Sequence, residues 1–368
     1  MPYYKIRNTC IAIFFFILLL ASCKNTSRTT SQQIQLTVLD SFQLNINDDT
    51  YRVFMVKDSK YLALNSDRSK LAVFDAEGKA EKTIDKKGPG PDAYSSVVKL
   101  GFGKDNQEII VVDKQKAIIY SAEGYKNINL SNEDIFPLPS DARIFLNQNQ
   151  DYLFSTSSLK YSPEKMNYFD SVQTFTKINP DHSVDNLGGF HKESIYREKI
   201  FSTMYDPRGF LTEDSPIVYT LFPFEPVLYP FDLEANKYLA PISIDLKEFS
   251  EIAHRNDQSM EGMLYLLQQN ASFKDFIVGQ EYALLFYRCG LKKEEQASSL
   301  TGYNQISMKK RRYELALVDK ETGALIAQPF FDERITHLIG FDTDDHLLFQ
   351  HINDQEEMII YKAKIDFK

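Results

Sequence analysis

Aromatic and arginine side chains gather in one segment near the middle of the chain, and this segment is the best candidate for a binding site. It runs from residue 191 to residue 216 and carries Tyr196, Arg197, Tyr205 and Arg208. Aromatic rings stack on sugars and peptides, and arginine pairs with carboxylates. Long ordered loops on a rigid scaffold often carry binding sites. We therefore predict Tyr205 and Arg208 as ligand contacts, with Tyr196 and Arg197 as further candidates.

Residue types that would perform catalysis or hold a metal do not form a recognisable set. Asp342, Asp344 and Asp345 could ligate calcium through carboxylate oxygens, but neither a glycine nor a distal glutamate completes a calcium loop there. The Gly88–Pro91 loop could bind phosphate, yet two of its four residues are prolines, which have no N–H to donate. We expect no catalytic residues, no metal and no cofactor, and calcium is the one ion considered.

The N-terminus has the pattern of an export signal. Lys5 and Arg7 precede an apolar run, residues 11–20, which is short for a membrane span. Small residues then lead to Cys23, and this ending resembles the lipobox of bacterial lipoproteins. The resemblance implies that residues 1–22 are removed and that Cys23 carries lipid. An uncleaved anchor helix and a plain secretory signal are the alternatives.

Residues 23–33 are polar and rich in serine and threonine, which predicts a flexible tether. The residues directly after Cys23 lack the acidic run that often marks surface-exposed lipoproteins of the Bacteroidota, which favours a position facing the periplasm. Beyond Cys23 only Cys289 remains, so no disulfide can form within the processed chain. The membrane is thus a predicted partner, through the lipid.

Short apolar runs separated by turn residues fill the chain from residue 34 to residue 368, which predicts an all-β fold. Residues 71–78 and 117–124 share one pattern, an apolar run followed by Ala-Glu-Gly, at a period typical of propeller blades. Weaker copies follow, so we predict a six-bladed β-propeller. An irregular β-sandwich or a two-domain β protein is the alternative. We expect residues 35–44 to pair with residues 358–365 and close the ring.

One segment departs from the strand pattern. Residues 246–273 space their apolar side chains as a helical hairpin or a broken helix would, with the break at Asn256 and Asp257. We predict a helical insertion that covers one face of the ring. Four aromatic residues just before it are expected to fill the blade core instead of binding a ligand: Phe222, Phe224, Tyr229 and Phe231.

Taken together, the chain resembles the six-bladed, NHL-like propeller lipoproteins of the Bacteroidota. The resemblance rests on the lipobox, on Lys87–Pro91 at the start of a blade, and on the Val-Val-Asp and Ala-Glu-Gly pattern that follows. It implies a fold more than an activity. The net charge of −9, spread in mixed runs, argues against nucleic acid as a partner.

We expect a non-enzymatic, lipid-anchored binding or scaffold protein of the cell envelope, at the outer membrane and facing the periplasm. Its partner would be a protein or a glycan, bound through one face of the ring. The alternative is a propeller hydrolase or lyase with carboxylates at the channel mouth, perhaps around calcium. A third hypothesis is an accessory subunit of an outer-membrane assembly.

Overall fold

Six antiparallel sheets follow one another along the chain in this computed structural model, and they confirm the predicted six-bladed β-propeller. The structure describes residues 33–46, 49–130, 135–137, 143–158, 168–198, 210–214, 216–250, 259–299, 301–302, 312–353 and 357–367. No helix in these ranges combines the length and the apolar character needed to cross a bilayer.

The first three blades follow the predicted strand pattern closely. The first blade contains a short leading strand, Asn45–Ile46, and then its first to fourth strands, Asp49–Lys57, Lys60–Asn65, Lys70–Phe74 and Ala80–Asp85. The second blade contains Lys99–Phe102, Ile109–Val112, Lys116–Ser121 and Gly124–Asn129. The third blade contains Ile135–Pro137, Phe145–Leu146, Tyr152–Ser158, Phe175–Ile178 and Val184–Leu187.

The last three blades complete the ring. The fourth blade contains Phe210–Asp214, Ile217–Leu221, Val227–Asp232, Lys237–Tyr238 and Ile242–Ser243. The fifth blade contains Ser272–Val278, Tyr282–Arg288 and Tyr313–Asp319, extended by bridges to Leu325 and Phe330. The sixth blade contains His337–Phe341, Leu347–Ile352, Met358–Phe367 and the N-terminal strand Ile34–Phe42.

The N-terminal strand closes the ring by pairing with the C-terminal strand, as the sequence predicts. Ile34 lies opposite Phe367 and Phe42 lies opposite Ile360, in antiparallel register with one irregularity. This pairing completes the sixth blade, so an exposed sheet edge is replaced by backbone hydrogen bonds.

Buried apolar clusters link each neighbouring pair of blades, including the sixth and the first. Tyr94, in the connection between the first and second blades, also packs into one of these clusters. Its side chain is fully buried between the first two blades, and its hydroxyl donates to the Ser69 carbonyl over 2.7 Å. The Gly88–Pro91 loop therefore precedes a side chain that packs between two blades, which agrees with a structural role for the loop.

The repeated Ala-Glu-Gly sequence forms the hairpin between the third and fourth strands of a blade. Gly78 lies in this hairpin in the first blade, at a φ of +78°, and Gly124 begins the fourth strand of the second blade. Residues with side chains adopt such a φ at a cost, which explains why glycine recurs at this hairpin.

The helices and 3-10 turns named for the described part of the chain are short. They comprise Tyr168–Ser171, Ile195–Glu198 and Met260–Gln269, with 3-10 turns at Lys104–Asn106, Lys247–Phe249 and Lys293–Glu295. Met260–Gln269 lies within the predicted helical insertion, begins after Ser259, whose hydroxyl accepts from the Gly262 N–H, and buries Leu266 against the fourth blade. The predicted break at Asn256 and Asp257 lies outside the described residues, and the strand Ser272–Val278 takes the last residues of the predicted range.

The first strands of the second and third blades approach each other too closely for any side chain at Gly101. A Cβ atom there would lie 2.4 Å from the carbonyl oxygen of Ile144. We expect Gly101→Ala to lower the free energy of unfolding by about 1–3 kcal/mol, measured by urea denaturation. Gly279→Ala is the matched control, because its nearest neighbour would be 3.5 Å away. Equal stability of the two variants would contradict this packing.

Candidate functional site

Successive strands of a blade run in opposite directions, so the connections divide between the two faces of the ring. We call the face that carries the hairpins between first and second strands, such as residues 58–59, 279–281 and 342–346, the hairpin face. The opposite face carries the connections between blades, and we call it the loop face. Around the fourth blade, its described connections include residues 188–198, 244–250 and 259–271.

The loop face carries the segment in which the sequence predicts a binding site. Tyr196 lies on the helix Ile195–Glu198 and is fully buried, with its hydroxyl accepting from the Phe224 N–H over 3.1 Å. Its ring packs on Phe190 and Phe222, so Tyr196 serves the core of this loop instead of facing solvent. The four aromatics predicted to fill the core are all buried.

Arg197 remains at the surface, where its guanidinium pairs with the Asp170 carboxylate and its Nε donates to the Phe190 carbonyl over 3.0 Å. Tyr205 and Arg208, the principal predicted contacts, lie outside the described residues, as does Cys23. The predictions for these three residues therefore stay predictions.

A buried carboxylate holds the start of this loop in place. Glu225 is 2% exposed and accepts from the Ser194 hydroxyl at 2.8 Å, from the Ile195 N–H at 2.9 Å and from the Tyr229 hydroxyl at 2.7 Å. Burial and the Glu225 carboxylate raise the pKa of Tyr229, so the phenol stays protonated and donates. The loop is thus fixed to the fourth blade next to its predicted binding residues.

A second group of polar side chains lies inside the ring, on or beside the first strands of several blades. We call it the channel cluster, and it consists of Arg52, Arg143, Asp275, His337 and Gln350. Arg143 and Asp275 are nearly fully buried, and the guanidinium donates to the Asp275 carboxylate over 2.5 Å. The same carboxylate lies 3.7 Å from Nδ1 of His337. Asp275 therefore connects three blades.

The channel cluster has more basic than acidic groups. Burial lowers the pKa of His337 well below its ordinary value of 6.5, and the charges of Arg52 and Arg143 lower it further. His337 is therefore neutral at neutral pH. Burial also lowers the pKa of Arg52, but arginine stays protonated in proteins. Two guanidinium groups thus face one carboxylate, so the described side chains of this cluster carry an excess positive charge.

Oδ2 of Asp275 is buried 3.7 Å from Nδ1 of His337, and three nitrogen atoms of the channel cluster are buried without a hydrogen-bond partner among the described residues. These atoms are Nε of Arg52, Nε2 of His337 and Nε2 of Gln350. Gln350 is fully buried, and its Oε1 accepts from the Val53 N–H, which fixes the direction of its amide. A buried polar group without a partner costs free energy, so such a group usually marks bound water or a ligand.

A pocket of about 350 Å³ opens from the hairpin face onto this cluster. Arg143 belongs to its lining, and we call it the mouth pocket. Its apolar side chains are Met55, Val56, Phe145, Ile277, Val278, Ile339 and Phe341. Asp345 lies at its rim, and the Lys320 ammonium donates to the Gly279 carbonyl at the same rim. The pocket is thus apolar along its walls and cationic at Arg143.

The aspartates considered for calcium form a turn on the hairpin face. Carboxylate oxygens of Asp342 and Asp344 and a ring nitrogen of His346 lie within 4.8 Å of one another. The Lys362 ammonium donates to Asp342 over 2.6 Å, and although burial opposes it, this bond lowers the pKa of Asp342. A lysine ammonium therefore lies beside the carboxylates considered for calcium, and calcium binding there remains a prediction.

The family assignment follows from a sequence profile. The profile of the family DUF5128, described as a 6-bladed beta-propeller, matches residues 33–330. The chain belongs to this family. No curated protein matches its sequence. Family membership agrees with the six sheets of the ring and carries no assigned activity.

Two solved structures of similar shape come from Bacteroides. A DUF4221 family member from Bacteroides vulgatus matches with a TM-score of 0.69 at 14% identity, over 91% of this chain and 99% of that one. A putative exported protein from Bacteroides fragilis matches with a TM-score of 0.54 at 15% identity, over 90% of this chain and 95% of that one. At such identities the likeness shows the propeller fold of this DUF5128 chain and nothing further.

Sequence reasoning missed the channel cluster. Its members come from different blades, between Arg52 and Gln350, and no spacing along the chain connects them. One signal was available in the pattern of the strands. Arg52, Asp275 and His337 each place a charged or titratable group next to a buried apolar residue in a first strand.

Proposed function

We propose that this DUF5128 propeller is a non-catalytic, lipid-anchored binding protein of the cell envelope, which holds a protein or glycan partner on its loop face. The observation that carries the proposal is the anchored loop at residues 188–209. Glu225 and the buried ring of Tyr196 fix its described start to a rigid blade, and Arg197 remains at the surface. Preformed surfaces of this kind favour binding, because little ordering is needed when the partner arrives.

The hydrolase or lyase alternative has less support. A hydrolytic or calcium-dependent centre needs carboxylates that converge, as ligands or as general acid and base. Around the channel, Asp275 is surrounded by Arg143, His337 and Arg52 instead. Its carboxylate is already neutralised by the buried ion pair, so the described side chains favour binding over hydrolysis at this place.

The binding residues can be tested as a pair. We expect Tyr205→Ala combined with Arg208→Ala to weaken capture of the envelope partner at least tenfold, about 1.4 kcal/mol, in pull-downs and on glycan arrays. Tyr125→Ala with Lys79→Ala is the matched control, since it also removes one exposed aromatic and one exposed cation, away from this loop. Equal capture by both double variants would overturn the assignment of this loop.

Anchoring rests on the residues that precede Cys23, and the exported protein from Bacteroides fragilis with the same fold is consistent with an envelope location. We expect Cys23→Ser to abolish incorporation of radiolabelled palmitate and to move the protein from the membrane pellet to the soluble fraction. Cys289→Ser is the control and should change neither readout. Membrane retention of Cys23→Ser would indicate an uncleaved anchor helix.

A further inference from the structure

The mouth pocket lies at the centre of the hairpin face, away from the loop that carries the proposed partner site. Its lining comes from the first, third, fifth and sixth blades, so it is a pit in the middle of the ring. None of residues 188–198, 244–250 and 259–271 lines it. An inference about its ligand therefore does not depend on the partner bound on the loop face.

The depth of the pocket indicates a ligand that enters end-on. Ile277, Ile339 and Arg143 line it, although each is at most 5% exposed. Met55 and Phe341 also line it and are half-buried. The lining thus extends from side chains near the surface to side chains that solvent hardly reaches. The volume of about 350 Å³ lies in the range of small-molecule sites.

The walls of the pocket indicate an apolar chain. Seven of the lining side chains are aliphatic groups, aromatic rings or a thioether. The thioether belongs to Met55, whose flexible and polarisable side chain can adapt to the shape of a ligand. An apolar molecule in the pit would remove the apolar area of these walls from water, and this burial favours binding.

The charged group deep in the pocket already has a counter-ion. The Arg143 guanidinium donates to the Asp275 carboxylate over 2.5 Å and to the Phe276 carbonyl over 3.4 Å. An anionic ligand would approach this carboxylate as well as the guanidinium, and it would lose its own hydration. An uncharged ligand leaves the buried ion pair unchanged. The described lining therefore favours a neutral group at the buried end.

The rim of the pocket is polar. Asp345 and Gln280 belong to its lining and are exposed, and the Lys320 ammonium donates to the Gly279 carbonyl over 3.3 Å. A hydroxyl group can both donate and accept hydrogen bonds, so it is compatible with either lining residue. An anionic head would be repelled by the carboxylate of Asp345.

We propose that the mouth pocket binds an uncharged small molecule with an apolar chain, of the class of the linear alcohols. The chain extends toward Ile277 and Ile339, and the hydroxyl head stays at the rim near Asp345 and Gln280. Arg143 remains paired with Asp275 when the ligand is bound. The site uses no residue of the loop face.

The test is a titration of linear 1-alkanols from butanol to octanol into the protein, measured by isothermal calorimetry at pH 7.5. Carboxylates of the same chain lengths are the charged probes. We expect saturable binding that tightens by roughly threefold for each added methylene, and binding of the carboxylates that is at least tenfold weaker. Absence of saturable binding, or carboxylates that bind as tightly as the alcohols, overturns the proposal.

Substitutions in the wall show where the alcohol binds. Val278 is half-buried in the pocket lining. We expect Val278→Phe to fill part of the pocket and weaken octanol binding at least fivefold, and Val278→Asp to weaken it further because a charge would face the chain. Val184→Phe is the matched control, since this half-buried valine lies on the outer strand of the third blade. Equal octanol affinity of Val278→Phe and Val184→Phe would contradict the site.

Crystals of the unaltered chain soaked with 6-bromo-1-hexanol give a readout that needs no substitution. We expect anomalous bromine density inside the mouth pocket, toward Ile277 and Ile339, because the bromine lies at the end of the chain opposite the hydroxyl. Bromine density only at other places would overturn the assignment.

The outcome is separable from that of the partner proposal. Alcohol binding without capture of a partner would leave the mouth pocket site in place and remove the loop-face function. Capture of a partner that depends on Tyr205 and Arg208, with no response to the alcohols, would have the opposite meaning.

Discussion

Asp275→Ala is expected to lower the free energy of unfolding by about 3–5 kcal/mol, the largest loss that we expect from any single change in the ring. Asp275 is 4% exposed and its carboxylate accepts from the buried guanidinium of Arg143. Without it, the buried guanidinium of Arg143 loses this ion pair. Equilibrium urea denaturation, followed by far-UV circular dichroism, measures the loss.

Two further variants show whether charge is the cause. Arg143→Leu combined with Asp275→Ala removes both partners, and we expect it to regain a large part of the lost stability. Glu81→Ala breaks an exposed ion pair with Lys60 at 2.7 Å and should cost about 0–1 kcal/mol. A loss from Asp275→Ala as small as that from Glu81→Ala would show that the channel cluster is hydrated enough to carry its charge unaided.

The stability of the ring is expected to fall on mild acidification because of His337. The folded state holds this imidazole neutral, because burial lowers its pKa well below 6.5 and the charges of Arg52 and Arg143 lower it further. The unfolded chain takes up the proton near pH 6.5, so below that pH unfolding is favoured. The loss is up to about 1.4 kcal/mol for each pH unit until the folded pKa is reached.

The measurement compares the unfolding free energy of the parent chain and of His337→Gln between pH 7.5 and pH 5. We expect the difference in unfolding free energy between the parent chain and His337→Gln to shrink or reverse as the pH falls. His191→Gln is the matched control. Burial also lowers the pKa of His191, but less far than that of His337, and the charge of Glu193 opposes the shift, so its removal should change the pH response less. Parallel pH profiles for His337→Gln and the parent would show that His337 titrates as a solvent-exposed histidine does.

Short-range sequence patterns were sufficient to predict the fold. The alternation of apolar residues and the Ala-Glu-Gly pattern repeated at residues 71–78 and 117–124 both depend on interactions within one blade. They were sufficient to predict the strands of the first two blades. The pairing of Ile34–Phe42 with Met358–Phe367 followed from a general rule, since an open ring would expose two edges.

Such local patterns could not predict the channel cluster, for a physical reason. The side chains of the channel cluster come from different blades. Their distances from one another depend on the rotation between blades, which the spacing of residues along the sequence does not show. Tyr196 illustrates the reverse problem. An aromatic residue beside an arginine in a loop looks available for a ligand, yet the fold turns this ring into a cluster with Phe190 and Phe222.

Closure of the ring by the N-terminal strand also determines when the protein can complete its folding during synthesis. Ile34–Phe42 leaves the ribosome early, while its partner Met358–Phe367 is made only after the first five blades. Until then the sixth blade lacks a strand and the chain presents an unpaired edge to proteases and to other copies of itself. A chain without Met358–Phe367 would remain in that state, so the ring cannot close during the synthesis of the first five blades.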